Sequence, residues 1–245
     1  MYYQSYFWFL GPILLCMLFA MMANAKVRSS FARHDRVRTR SGMTGRDTVL
    51  RLMQANGVQG ISVGCVKGTL TDHYHPAKSI VNLSESTYGN SSVAAVAVAA
   101  HEMGHVMQNQ TGYVFYRIRT ALVPVVNFGT RLAMPLVLVG LLLDLFSRTA
   151  NSDTGFYIAM FGVILYGGSL LFALVTLPVE LNASRRARTM LLESGILTQQ
   201  EIPGARQVLG AAALTYLASV LTSLVYFLRF LFQVLMLFGR SSNRR

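Results

Sequence analysis

Gly155 to Leu177 runs without one charged side chain, and a helix of that length crosses a hydrocarbon slab of about 30 Å. Three more apolar stretches accompany it, at Tyr6 to Met22, at Ala121 to Phe146 and at Leu209 to Phe238. Inside lipid every backbone N–H and C=O needs an internal partner, so such stretches are helical and chemistry is confined to the polar segments between them. The bulk figures agree: 53% hydrophobic residues, 13% charged residues and a mean hydropathy of +0.42 describe a membrane protein better than a large soluble core. A net charge of +12 invites a nucleic-acid partner. The charge, however, clusters at membrane borders and no nucleic-acid-binding signature accompanies it, so that partner is excluded. Cys16 and Cys65 lie in unrelated apolar and strand-like contexts, which indicates neither a disulfide framework nor a cysteine metal site.

Charge sets the topology. Ala23-Asn24-Ala25 resembles a signal-peptidase site, but no positive charge precedes the apolar run and Lys26, Arg28, Arg33, Arg36, Arg38 and Arg40 follow it. That pattern reads as a transmembrane anchor over 1–25 with its N-terminus outside and the next segment in the cytoplasm. The basic stretch can touch anionic headgroups or simply be solvated. Within 121–177 a transmembrane hairpin is expected. Its first arm is broken by Pro124, Arg131 and Pro135 and starts near Phe128 with Arg131 snorkelling; Ser147–Asp153 is an outer turn. Gly162, Gly167 and Gly168 allow close helix packing on the second arm. Residues 209–245 are apolar but interrupted by Arg229 and followed by Arg240, Arg244 and Arg245. Three spans are therefore expected; the fourth segment either crosses, wholly or only beyond about Val220, or lies at the interface.

The chemistry is announced between the first two spans. Val93 to Gln108 is an alanine-rich helical stretch with Ser91 or Ser92 as N-cap and Gly112 as the residue that ends it. It carries H-E-x-x-H. Positions four apart lie one above the other, so His101 and His105 offer two imidazoles to one point, while Glu102 sits about 100° around the axis. Two imidazoles and a third ligand hold one Zn²⁺ with an open water position, and a carboxylate beside that water acts as general base. Two surface histidines on an amphipathic helix are the blander account. Val93, Val96 and Ala100, on the opposite side, read as core.

Around this helix the sequence suggests a small cytoplasmic α+β part over 26–120. Thr44 three residues before Asp47 caps a helix through Val49, Leu50, Leu52 and Met53, ending at Asn56-Gly57. Ile61–Val66 and Ser79–Leu83 read as strands, the second placed to pair with an extended peptide. The link Thr71-Asp72-His73-Tyr74-His75-Pro76 is either a polar turn or a cluster over the metal, with His73, Tyr74 and Arg185 as candidate oxyanion partners. After the hairpin, Pro178 suits the first turn of a new cytoplasmic helix over 178–208, closed by Gly195. Glu180 lies one turn into it, at the level where the metal helix was left, and is the leading third ligand. Asp72, Glu193 and Glu201 are rivals, and pairing of Glu180 with Arg185 or Arg186 is the plainer alternative.

The order of anchor, basic segment, T-D-H-Y, H-E-x-G-H, two spans and P-V-E-x-N-A-S-R-R-A resembles the YugP-type bacterial membrane zinc metallopeptidases over nearly the whole chain. More distantly it is similar to the gluzincins that include the HtpX protease and the CAAX-prenyl endopeptidases. The resemblance implies an α-helical membrane protein with a small α+β zincin-like catalytic domain, a zinc site of His101, His105 and Glu180, and Glu102 as base. Ser184 stands where the distant relatives have Asp, and His75 where the closer family is expected to have Asp. The expected activity is a zinc-dependent endopeptidase in the bacterial inner membrane, its site facing the cytoplasm and its substrates membrane or membrane-adjacent polypeptides. A non-turnover zinc scaffold and a hydrolase of a non-peptide amide are the alternatives.

Overall fold

The computed structural model describes residues 2–146 and 154–242. The expected outer turn at Ser147–Asp153 and the basic Arg244 and Arg245 lie outside the described residues. The described chain is mostly helical: α1 Tyr2–Asp35, α2 Gly45–Ala55, α3 Glu85–Tyr88, α4 Val93–Gln110, α5 Val114–Phe146, α6 Thr154–Glu193 and α7 Ile202–Ser242. A small sheet contains β1 Ser62–Val66, β2 His73–His75 and β3 Ile80–Ser84. Four helices (α1, α5, α6 and α7) are long and apolar enough to cross a membrane. The chain forms two compact units, each assembled from separated segments.

The unit of Met21–Arg117 and Leu177–Tyr216 contains the sheet. Its strand order is β1-β3-β2, with β1 parallel and β2 antiparallel to β3. Alternation along β3 sends Val81 and Leu83 into the core and leaves Ile80 and Asn82 half-buried on the other face. The core joins those two residues to Val49 and Leu52 of α2, Val96, Met103 and Val106 of α4, Leu191 of α6 and Val208 of α7. Burying each of these aliphatic side chains contributes about 1.5–3 kcal/mol before the entropy of ordering is set against it. The capping box of α2 is present: Thr44 Oγ1 accepts from the Asp47 N–H at 3.1 Å and the Thr44 N–H donates to Asp47 Oδ2 at 3.1 Å. A Cβ on Gly45 would strike the Thr87 carbonyl, so the small residue lets α2 seat against α3.

Part of the basic segment is structural. α1 continues through Lys26, Arg28 and Arg33, and the following residues clasp the start of α4: Val93 N–H donates to Val37 O at 2.8 Å and Thr39 N–H to Ser91 O at 2.9 Å. Ser92 caps α4 by accepting from Ala95 N–H at 3.1 Å, and its hydroxyl donates to Asp35 at 2.9 Å. Arg40 N–H reaches Glu201 Oε1 at 2.8 Å.

Two expectations need correction. Pro178 opens no new helix, because α6 runs unbroken from Thr154 to Glu193 with Pro178 inside it. Proline within a long apolar helix forfeits one backbone bond that neighbouring groups can offset. The Thr71–Pro76 link is no simple turn: His73–His75 forms an edge strand, so β3 is central and both its edges are occupied. The strand preceding the metal helix therefore has no edge left for a peptide.

The other unit comprises the described residues of Met1–Ala20, Ile118–Thr176 and Leu217–Arg245. Val137, Ala159, Val163, Val234 and Phe238 form its buried cluster. Small residues set its helix spacing, since a Cβ at Gly162 would lie 2.7 Å from the Ala133 carbonyl oxygen and one at Gly167 3.0 Å from the Phe227 ring. At Gly168 the nearest atom would be at 3.8 Å, an ordinary contact. Leu15, Phe128 and Ile164 are among the large apolar side chains left exposed, the surface a lipid-facing helix presents. α7 is divided between the units at Leu217.

Candidate metal centre

The site is built on two helices of the sheet-bearing unit. On α4 the four-residue spacing stacks His101 and His105 with ring centroids 4.8 Å apart and planes at 84°. α6 brings Glu180 to them: its Oε2 lies 3.1 Å from His101 Nε2 and 3.5 Å from His105 Nε2. One donor atom from each residue lies within 4.8 Å of the others. Zinc bonds of 2.0–2.1 Å place neighbouring tetrahedral ligands about 3.3 Å apart, so the spacing around Glu180 suits one small divalent cation. Glu180 is 2% exposed, and Arg186 Nε donates to Asn182 Oδ1 at 2.9 Å.

Gly104 makes the approach of α6 possible. A Cβ there would lie 2.5 Å from the Ala183 carbonyl oxygen. The glycine of the H-E-x-G-H spacing is thus a packing requirement between the helices that carry the donors.

Each imidazole is oriented by its far nitrogen. His105 Nδ1 donates to Gln108 Oε1 at 3.0 Å, and the fully buried Gln108 amide donates in turn to Val179 O at 2.7 Å and to Asn182 Oδ1 at 3.0 Å. His101 Nδ1 lies 3.2 Å from Ser184 Oγ. With Nδ1 carrying the proton in both rings, the two Nε2 lone pairs are left for a cation, the usual way a partner group sets a ligand's tautomer. Ser184 therefore supplies a hydroxyl contact to His101 Nδ1.

Glu102 projects beside this set and is 6% exposed. Burial pushes its carboxyl up to about 7, opposed by His101, reinforced by the carboxylates of Glu180 and Asp72, and opposed again by a hydrogen bond from the Tyr74 N–H. A value near neutrality suits a group that must both accept and return a proton. The Tyr74 contact also shows that the outer edge of β2 faces Glu102.

The remaining candidates are not among the three donors. His73 is exposed and pairs with Asn82, on the face opposite to Tyr74 and Val81; its Nδ1 donates to Thr71 O at 2.9 Å and its Nε2 accepts from Asn82 at 3.0 Å. The structure does not bring it to the donor set. Tyr74 has its hydroxyl engaged by Asn109 at 3.1 Å, and Arg185 is exposed. Asp72 spends both oxygens on Ser84, at 2.8 Å to its N–H and 2.8 Å to its hydroxyl. Glu201 accepts from Thr198 N–H and Arg40 N–H, each at 2.8 Å. Gln108 and Asn182 went unrecognised in the sequence. The signal was available only in part: Gln108 is one turn after His105, on the same face, but nothing local reveals that it is buried.

Apolar helices and a compact histidine–carboxylate cluster together define a class, membrane proteins with a candidate metal centre. The comparisons make this particular: residues 8–235 match the family described as "Putative neutral zinc metallopeptidase", and the chain belongs to that family. It is also 40% identical over 221 residues to "Putative membrane protease YugP" of Bacillus subtilis (strain 168), covering 90% of this chain and 93% of that protein. No solved structure matches.

Proposed function

We propose that this protein is a zinc-dependent endopeptidase of the bacterial inner membrane, with its site on the cytoplasmic side and membrane or membrane-adjacent polypeptides as substrates. The observation that carries the reading is the meeting of His101 and His105 Nε2 with Glu180 Oε2, beside the buried Glu102. In this reading the sheet, α4 and α6 form a gluzincin-like catalytic part. The family name and the name of the Bacillus relative support the metal and the reaction class.

His101, His105 and Glu180 would hold the ion, which when bound would supply a Lewis acid that acidifies water and polarises a carbonyl oxygen. Glu102 accepts the proton of the attacking water on its carboxylate and returns it to the leaving nitrogen. Gln108 and Ser184 keep the two Nδ1 atoms protonated, which leaves both Nε2 lone pairs available to a cation. Burial around Glu102 excludes bulk water and keeps its proton affinity high enough for the return step.

The test uses full-length protein in nanodiscs, assayed for metal content and for cleavage of a panel of membrane proteins and lipid amides, with and without a chelator. Peptide cleavage that is lost on chelation and restored by zinc is expected. Zinc binding without turnover would favour a scaffold, and turnover of lipid amides alone a different hydrolase; either overturns the peptidase reading. The orientation predicts that four crossings leave the C-terminus outside. A reporter fused after Arg245 that works only in the cytoplasm contradicts it.

A further inference from the structure

The hydrogen bonds behind His105 run on to a charged side chain. Gln108 and Asn182 are carboxamides, and each can present either its oxygen or its nitrogen to a neighbour. An imidazole likewise carries its proton on either ring nitrogen. The direction of the chain from His105 through Gln108 to Asn182 is therefore set by groups along it that act in one sense only. One is the Val179 carbonyl, which accepts from Gln108 Nε2 at 2.7 Å. The other is Arg186, whose guanidinium has donors and no acceptor, and whose Nε reaches Asn182 Oδ1 at 2.9 Å. Asn182 must turn its oxygen to that donor, and the same oxygen accepts from Gln108 Nε2 at 3.0 Å. Both hydrogens of the Gln108 amide are then spent and its oxygen is left for His105, 3.0 Å away, which must carry its proton on Nδ1.

Arg186 is held in turn by the end of α4. Its Nη2 donates to Thr111 Oγ1 at 3.3 Å, and the Thr111 hydroxyl donates to Met107 O at 2.7 Å, so that oxygen has only lone pairs left for the arginine. We propose that Arg186 is a positioning residue of the metal centre: acting through Asn182 and Gln108, it holds His105 in the tautomer whose Nε2 lone pair is available to a cation. Its use for metal rests on the function proposed above, whereas the tautomer belongs to the metal-free protein and is measured there. Val179 O stays in place when Arg186 is removed, so the preference weakens rather than reverses.

Full-length, metal-stripped protein with isotopically labelled histidine is to be read in detergent by long-range proton–nitrogen NMR of the ring nitrogens, then by zinc affinity in chelator competition. His105 of the wild type is expected in the Nδ1–H form. Arg186→Met should add the Nε2–H form and weaken zinc binding about tenfold, the lower end of what a group behind a metal ligand contributes. Arg188→Met removes an equal charge from the same helix and should leave the tautomer unchanged and the affinity within about twofold. Adding Asn182→Asp to Arg186→Met should restore the Nδ1–H form, because a carboxylate can only accept. Asn182→Leu should act like Arg186→Met, and serves if that variant fails to fold. A wild-type tautomer in Arg186→Met and Asn182→Leu, an equal shift in Arg188→Met, or no recovery in the double variant overturns the relay. If the tautomers follow the expected pattern and the wild type binds no zinc, the relay stands and the metal reading falls.

Discussion

α4 and the part of α6 around Glu180 contribute to the same site by different means. In α4 the two imidazoles and Glu102 are placed by helical periodicity alone, and the Ser92 cap and Gly112 at φ +63° bound the helix locally. In α6 nothing local distinguishes Glu180 from a surface acid. It becomes a donor because Gly104 admits the Ala183 backbone and because Asn182 and Ser184, two and four residues on, meet partners on α4. The comparison teaches that a metal centre can be half periodicity and half packing, and that the two halves fail differently.

The largest effect should come from the packing half. Glu180→Ala is expected to remove metal and activity together, seen as loss of zinc by elemental analysis and of peptide cleavage; retained zinc would transfer the third-ligand role elsewhere. Glu102→Gln should sharpen the contrast by costing about 10²–10⁴ in turnover while zinc content stays at the wild-type level. Gln108→Leu and Ser184→Ala probe the groups behind the histidines. Each is expected to weaken zinc affinity about 10–100-fold in chelator competition, and an effect on turnover without one on affinity would break the orienting role.

The smallest effect tests whether the contrast is specific to the site. Thr44→Ala removes the α2 cap and should cost about 1 kcal/mol of stability without changing zinc content. The Thr44 hydroxyl and N–H hold the Asp47 carboxyl below its ordinary value of 3.8. A depressed folded value gives stability that is present above the unfolded one and lost as pH falls through the folded one. The penalty of Asp47→Asn should accordingly be seen near neutral pH and fade in acid below about pH 4, measured as a shift in the thermal midpoint.

Legibility varied with the range of the forces involved. The capping box at Thr44–Asp47, the stop at Asn56 with Gly57 at φ +64°, and the outlines of β1 and β3 could be read because each depends on a few adjacent residues. β2 could not: three residues are too few to display alternation, and His73–His75 is extended because β3 offers an unpaired edge. Pro178 misled for a related reason. A proline's local preference for a first turn was outweighed by the continuity of a long apolar helix.

From its own order of residues the chain determined four apolar helices, a pair of stacked imidazoles and an acid beside them, because hydropathy and the helical repeat act over one or a few turns. The folded chain brought Glu180, the leading candidate ahead of Asp72, Glu193 and Glu201, to those imidazoles, and it alone decided which amide and hydroxyl orient them and that His73 turns away. Those choices depend on backbones separated by some 70 to 80 positions coming into contact at Gly104, where the absence of a side chain allows it.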